Sequence, residues 1–295
     1  MSVNKNGPLV LMTGNVFFGL LPLAVKWALG LGYTGTQITF ARFLFSCLGV
    51  MALALLGWQK LRSNQWRPLL LRGIFGGLAV LGYFLSLEYT TASKASLLSY
   101  TSTLWMNVHN VWIYKRSPSK GFWPLLGAAG LGLWLIIHPT MSGWNKGDII
   151  GLVSGVCGGF ALMMVKESRR TDNALSIFGS FSVFGLLFSG MLLLPWSPLP
   201  GPAIGLMAPA YPGWLALLVM AALSMAGQLC LTQSYGYMKV TVAGMLALMA
   251  PVLAVFFSWI ILGEKLNSDF ILGSLLILIP CYLLVRAEKV KNISI

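Results

Sequence analysis

The residues best suited to chemistry lie between positions 94 and 114. There Ser96, Ser99, Tyr100, Thr103, Asn107 and Asn110 follow one another at three- and four-residue steps, a spacing that gathers them on one face of a helix. Trp105 and His109 fall on other faces. Uncharged hydroxyls and amides in a row can hold a polar solute, or can tie one apolar helix to another. They do not break bonds unaided. A second row, Asn15, Gly19, Pro22 and Lys26, recurs at i, i+4, i+7 and i+11; the glycine admits close approach and the proline frees a carbonyl. Lys26 either snorkels to the interface beside Trp27 or attracts an anionic group. Arg42, about two turns inside its own apolar run, either ties to backbone carbonyls or, with Lys26, biases that half toward carboxylate or phosphate groups. Tyr83 and Gln228 stand near the middle of two further runs. We expect Asn15, Tyr83, Tyr100, Thr103, Asn107 and Gln228 to contact a substrate, with Trp105, His109 and Phe160 shaping its pocket.

Other chemistries lack their residues. The chain has seven acidic residues, and none falls in the middle of an apolar run, where a proton-coupled carrier commonly keeps a carboxylate. A facilitator or exchanger is expected, with His109 the one mid-membrane group that titrates in the usual pH range. His109 and His138 are too far apart for a helical metal pair, and no HExxH, GxSxG or phosphate-binding loop occurs. The four cysteines, Cys47, Cys157, Cys230 and Cys281, all sit in apolar runs and read as small hydrophobes. No catalytic residue, metal site or cofactor is expected.

The elements that would position these groups are membrane helices. The 295 residues are 57% hydrophobic and 9% charged, against about a quarter charged in a soluble domain. Ten apolar spans can be placed, at 8–29, 36–56, 68–87, 94–114, 121–138, 148–166, 174–194, 213–235, 240–262 and 269–286. The ninth is uncharged between Lys239 and Glu264 and long enough to cross a core of about 30 Å. Pro251 interrupts it at its middle, a break tolerated in lipid only where protein or a polar cavity satisfies the freed carbonyl. The first residues show no A-x-A cleavage site, so the first span reads as a retained helix. Residues 195–213, with six prolines and no charge, read as a stiff connection.

Basic residues orient the spans. With the N-terminus cytoplasmic, fifteen of the 20 Lys and Arg, Arg72 among them, fall on the inner side; only Lys94, Lys146 and Lys265 fall outside. That asymmetry predicts both termini in the cytoplasm. The net charge of +13 is then a topology signal addressed to lipid headgroups, not to nucleic acid. Setting residue 7 against 147 pairs Val16 with Val156, Gly19 with Gly159, Val25 with Val165 and Lys26 with Lys166. Five spans followed by five similar ones must insert in opposite senses, as in transporters that expose a midplane site to alternate faces.

Ala250-Pro251 followed by Leu262-Gly263-Glu264-Lys265, with Ala41-Arg42-Phe43, Tyr89-Thr90-Thr91-Ala92-Ser93-Lys94-Ala95 and Lys26, resembles the EamA-type permeases of the drug/metabolite transporter superfamily. The resemblance covers residues 8–286 and implies a central cavity and export or exchange of small metabolites, amino acids included. The first half departs from the pattern: Ser102 stands where a proline would align with Pro251, and Lys115-Arg116 replaces Gly-Glu. A straighter, more polar fourth span is expected to follow.

The reading is an all-α polytopic membrane protein of ten transmembrane helices in two inverted five-helix repeats, 8–138 and 147–286. It would act in the bacterial inner membrane as a monomer or weak homodimer, moving a small polar, zwitterionic or anionic metabolite by alternating access. Export of lipophilic cations or drugs is the rival within transport. A membrane enzyme or lipid-handling scaffold is the rival outside it.

Overall fold

A computed structural model describes residues 6–90, 92–115, 121–137, 144–193, 211–263 and 268–293. All their regular structure is helical: α1 (Asn6–Gly30), α2 (Gly35–Leu55), α3 (Trp66–Tyr89), α4 (Ala92–Tyr100), α5 (Ser102–Tyr114), α6 (Phe122–Ile137), α7 (Lys146–Ser168), α8 (Ala174–Leu192), α9 (Tyr211–Tyr235), α10 (Val240–Ala247), α11 (Met249–Leu262) and α12 (Ser268–Ile293). Seven segments are long and apolar enough to cross a bilayer, α10 and α11 counting together as one, and α6 is a shorter apolar helix. His138, Glu264-Lys265 and most of the proline-rich connection lie outside the described residues.

Two spans are broken. At Leu248 the chain leaves the α-helix, its N–H turning to the Met245 carbonyl at 3.1 Å. Pro251, three residues on, has no N–H to offer the Ala247 carbonyl that ends α10, which is why the ladder fails there. The fourth span breaks as well, at Thr101, where the sequence predicts a straight helix. No proline is involved. The Thr101 N–H is shared between the Leu97 and Leu98 carbonyls, and its hydroxyl donates to the Leu98 carbonyl, a back-bond that bends helices.

The packing at this break is backbone on backbone. A Cβ on Gly155 of α7 would stand 2.5 Å from the Leu98 oxygen, and one on Gly159 would stand 2.6 Å from the Met106 nitrogen. Across the bundle, a Cβ on Gly19 of α1 would meet Leu253 at 2.8 Å, just after the other break. The pairings are matched: α3 lies along α7 and α1 along α9, α5 crosses α7 and α11 crosses α1, and α6 pairs with α12.

Several helix ends are closed by side chains. Thr34 with Gln37 and Asn145 with Asp148 form reciprocal capping boxes at the starts of α2 and α7, satisfying donors that the first turn leaves unpaired. Lys166 donates to the Tyr235 and Met238 carbonyls past the end of α9, both at 2.8 Å. The α2–α3 connection is tied to the α7–α8 connection by Asn64 N–H on the Asp172 carboxylate at 2.7 Å and Asn173 on the Lys60 carbonyl at 2.6 Å. Arg72, counted by sequence with the inner-side basic residues, lies in the second turn of α3 and is 4% exposed.

Candidate functional site

The polar face of the fourth span points inward. On α5, Thr103, Met106, Asn107 and Asn110 are buried, whereas Leu104, Val108 and Trp112 are exposed, the division expected of a helix with lipid on one side and protein on the other. Gly244 of α10 lets α5 close in: a Cβ there would meet Thr103 at 3.2 Å and the Asn107 amide nitrogen at 3.9 Å. The Asn107 amide donates to the Thr103 carbonyl at 2.8 Å, and its Oδ1 is buried without a partner.

Asn15 reaches α10 from α1. Fully buried, it donates to the Leu246 carbonyl at 2.7 Å, and its Oδ1 also lacks a partner. Leu246 sits two residues before the Leu248 break, so Asn15 braces a carbonyl where the helical ladder is failing. Two amide oxygens, one from α1 and one from α5, thus go unsatisfied near α10. Each such acceptor costs about 1–3 kcal/mol when buried unpaired.

Most of the remaining predicted residues fall into three groups, with Gln228 and Arg42 apart from them. Phe160 packs against Phe75 with centroids 4.4 Å apart and meets the His109 ring edge-on at 5.7 Å, while Trp105 lies 6.4 Å from His109. This aromatic box joins α3, α5 and α7, and His109 Nδ1 is buried in it without a partner. Tyr83 and Tyr100 lie near each other, and Tyr100 packs on the main apolar core. The row on α1 divides. Asn15 and Gly19 are buried, but Pro22 and Lys26, higher on the same face, are exposed beside an exposed Trp27.

Gln228 leads to residues that sequence reasoning passed over. Its Oε1 lies 3.5 Å from Arg72 Nη2, at the long limit of a hydrogen bond. Arg72 lies over the Phe181 ring at 4.3 Å, in space left by Gly76, where a Cβ would crowd both the guanidinium and Phe181. Arg42 lies over Phe43 at 5.5 Å, and Phe43 meets Phe181 edge-on at 5.2 Å. Tyr235, completely buried, connects this region to α5 through its hydroxyl on Met106 Sδ at 3.4 Å. A proline or a periodic polar row announces a site in sequence. A single arginine near a helix start does not, because topology already accounts for it. A narrow cleft with room for about 10 Å³, one water's worth, opens between α2, α3 and α8 along Thr36, Thr39, Gly77 and Ser189 and reaches Phe43.

Uncharged polar groups, aromatic walls and two interior guanidiniums can bind and orient a solute. Among the described residues no group of three or more His, Cys, Asp or Glu could hold a metal ion.

Comparison with known proteins agrees in kind. Residues 5–138 and 145–286 each match the model of the EamA-like transporter family. The chain is 25% identical over 290 residues to the pseudopaline exporter CntI of Pseudomonas aeruginosa strain UCBPP-PA14, covering 97% of this chain and 98% of that one. It is 26% identical over 277 residues to an uncharacterized transporter of Archaeoglobus fulgidus, covering 93% and 94%. A crystal structure superposes with a TM-score of 0.79 at 16% identity, over 97% of this chain and 98% of the other, which speaks to the fold alone.

Proposed function

Because the chain belongs to the EamA-like transporter family, and is a multi-pass membrane transporter rather than an enzyme, we propose that it moves a small polar metabolite by alternating access. The observation that carries this reading is the pair of orphaned amide oxygens, Asn15 Oδ1 and Asn107 Oδ1, buried beside the broken α10. Unsatisfied acceptors in a membrane bundle are costly, and at this depth they mark solute paths more often than scaffold. An amino acid or related zwitterion, with an ammonium to donate, suits them.

Ten spans in two opposed halves, about 8–138 and 147–286, are the architecture we infer. Three facts support it: the family model matches twice, the fourth and ninth spans both break near mid-length, and the helix contacts come in matched pairs. The basic bias of the connections supports cytoplasmic termini and an inner-membrane location. Asp148 and Asp172 are buried only at the start of α7 and in the connection after it. Coupling therefore runs by facilitation or exchange, without a mid-span carboxylate. The Pseudomonas relative is named as an exporter, of pseudopaline; its cargo is its own.

The test is counterflow in proteoliposomes preceded by a thermal-shift screen of amino acids, nucleosides, organic phosphates and quaternary amines, since a bound solute raises the melting temperature. Stabilisation by a zwitterion or anion, and its exchange without a pH gradient, is expected. Stabilisation by quaternary amines alone would transfer the protein to the drug-export reading.

A further inference from the structure

Arg72 is the least explained charge in the bundle. It is 4% exposed, its Nε has no hydrogen-bond partner, and its one side-chain acceptor is Gln228 at 3.5 Å. Arg42 sits on α2, partly buried. Between them lie two rings that meet edge to face, in the order Arg42, Phe43, Phe181, Arg72. Neither guanidinium is paired with a carboxylate of the described residues; Arg170 pairs with Glu167 at the far end of α7. Two interior cations held only by π faces and one weak amide contact are a structure waiting for an anion: ring faces give a guanidinium a fraction of what a bidentate oxyanion gives. A topological arginine would sit at the surface, and a structural one would cap carbonyls; Arg72 does neither. Phe43, one of the two rings between the charges, lines the cleft between α2, α3 and α8.

We propose that Arg72, with Arg42 and Gln228, forms an oxyanion site inside the bundle that takes the carboxylate or phosphate of the transported solute. The inference rests on the transport reading above and deepens it. Arg72 supplies the planar fork, Gln228 orients that fork and donates through its own amide nitrogen, and Arg42 adds charge from the other side of the ring pair. The solute's anionic end is held here, at α2, α3, α8 and α9, while its donor end faces the orphaned amides at α10.

The full-length protein, purified in uncharged detergent, is melted with citrate, L-glutamate, inorganic phosphate or dioleoylphosphatidylglycerol, each against chloride at equal ionic strength. We expect a carboxylate or phosphate solute to raise the melting temperature and its apparent Kd to weaken about tenfold or more in Arg72→Gln, the loss typical of one charge-assisted contact. Arg72→Lys should retain part of the response, keeping the charge but not the fork. Gln228→Glu covers the failure of Arg72→Gln to fold: it sets a carboxylate beside Arg72, so the ligand-free protein should melt higher and the anion response should vanish. Unchanged anion binding in folded Arg72→Gln, or a Gln228→Glu variant that responds like wild type, overturns the proposal. So does stabilisation by phosphatidylglycerol alone, which would make this a lipid site. Counterflow separates the two readings. Wild type that binds citrate or glutamate through Arg72 but exchanges nothing leaves the site standing and sinks transport. Wild type that exchanges a solute with equal preference in Arg72→Gln does the reverse.

Discussion

Gly159→Ala tests the packing on which the broken fourth span depends. The added methyl would lie 2.6 Å from the Met106 nitrogen and the Trp105 Cβ and 2.7 Å from the Ser102 oxygen. Ordinary contact begins at 3.4 Å, so α5 and α7 must part by about an ångström, and two of the three obstacles are backbone atoms that cannot rotate away. Overpacking of this kind costs about 1–3 kcal/mol, against a helix-propensity gain of about 1 kcal/mol for replacing glycine by alanine. Gly127→Ala in α6 is the control, since nothing lies within 4 Å of its added carbon and only the propensity term remains. The variants should therefore differ by about 1–3 kcal/mol, which in a chain of this size separates their melting temperatures by roughly 2–10 °C. Scanning fluorimetry on the 11 tryptophans measures this at one fixed heating rate, because unfolding from detergent is read as a rate. Equal melting temperatures for the two variants, or a higher one for Gly159→Ala, would refute the close contact between α5 and α7.

Three further outcomes are expected. Asn15→Leu leaves the Leu246 carbonyl without its side-chain donor but also removes the orphaned Oδ1, each about 1–3 kcal/mol, so the melting temperature should stay close to wild type while counterflow falls; unchanged counterflow would remove Asn15 from the solute path. Pro251→Ala restores the N–H that the Ala247 carbonyl lacks; the protein should melt at the same temperature or higher while exchange slows, and faster exchange would argue against a working role for the break. Lys115 ends α5 in the left-handed region at φ 51°, a conformation costing a side chain about 1–2 kcal/mol, so Lys115→Gly should raise the melting temperature; a fall would mean that the lysine side chain is itself a structural contact.

Periodicity made the polar row legible. Residues at three- and four-residue steps must share a face, and the burial of Thr103, Asn107 and Asn110 against the exposure of Leu104, Val108 and Trp112 follows from composition in a bilayer. The break at Pro251 was legible because proline carries its effect locally. The break at Thr101 was not: it needs Gly155 and Gly159, more than fifty residues away, to admit the bent backbone, and Ser102 in the place of a proline points the wrong way. Lys115 shows the same limit, since Gly263 takes the left-handed end of α11 while a lysine takes it in α5. Arg72 was hidden by a rule that is sound on average. Counting positive charges assigns an arginine near a helix start to the headgroups, and only the slot at Gly76 and the ring of Phe181 reveal that this one turns inward.

The two glycine contacts say what kind of motion the bundle permits. Gly19 lies thirteen residues into α1 and Gly159 thirteen residues into α7, so each marks the middle of its helix. There α1 touches α11 and α7 touches α5 at backbone distance. A contact between two backbones with no side chain between them tolerates rotation better than separation, because rotation leaves the distance unchanged and separation opens a void. Each contact also lies beside a helix break, where the ladder is already interrupted and bending removes few hydrogen bonds. If the two halves alternate as proposed, these midpoint contacts are where such a rotation would be centred.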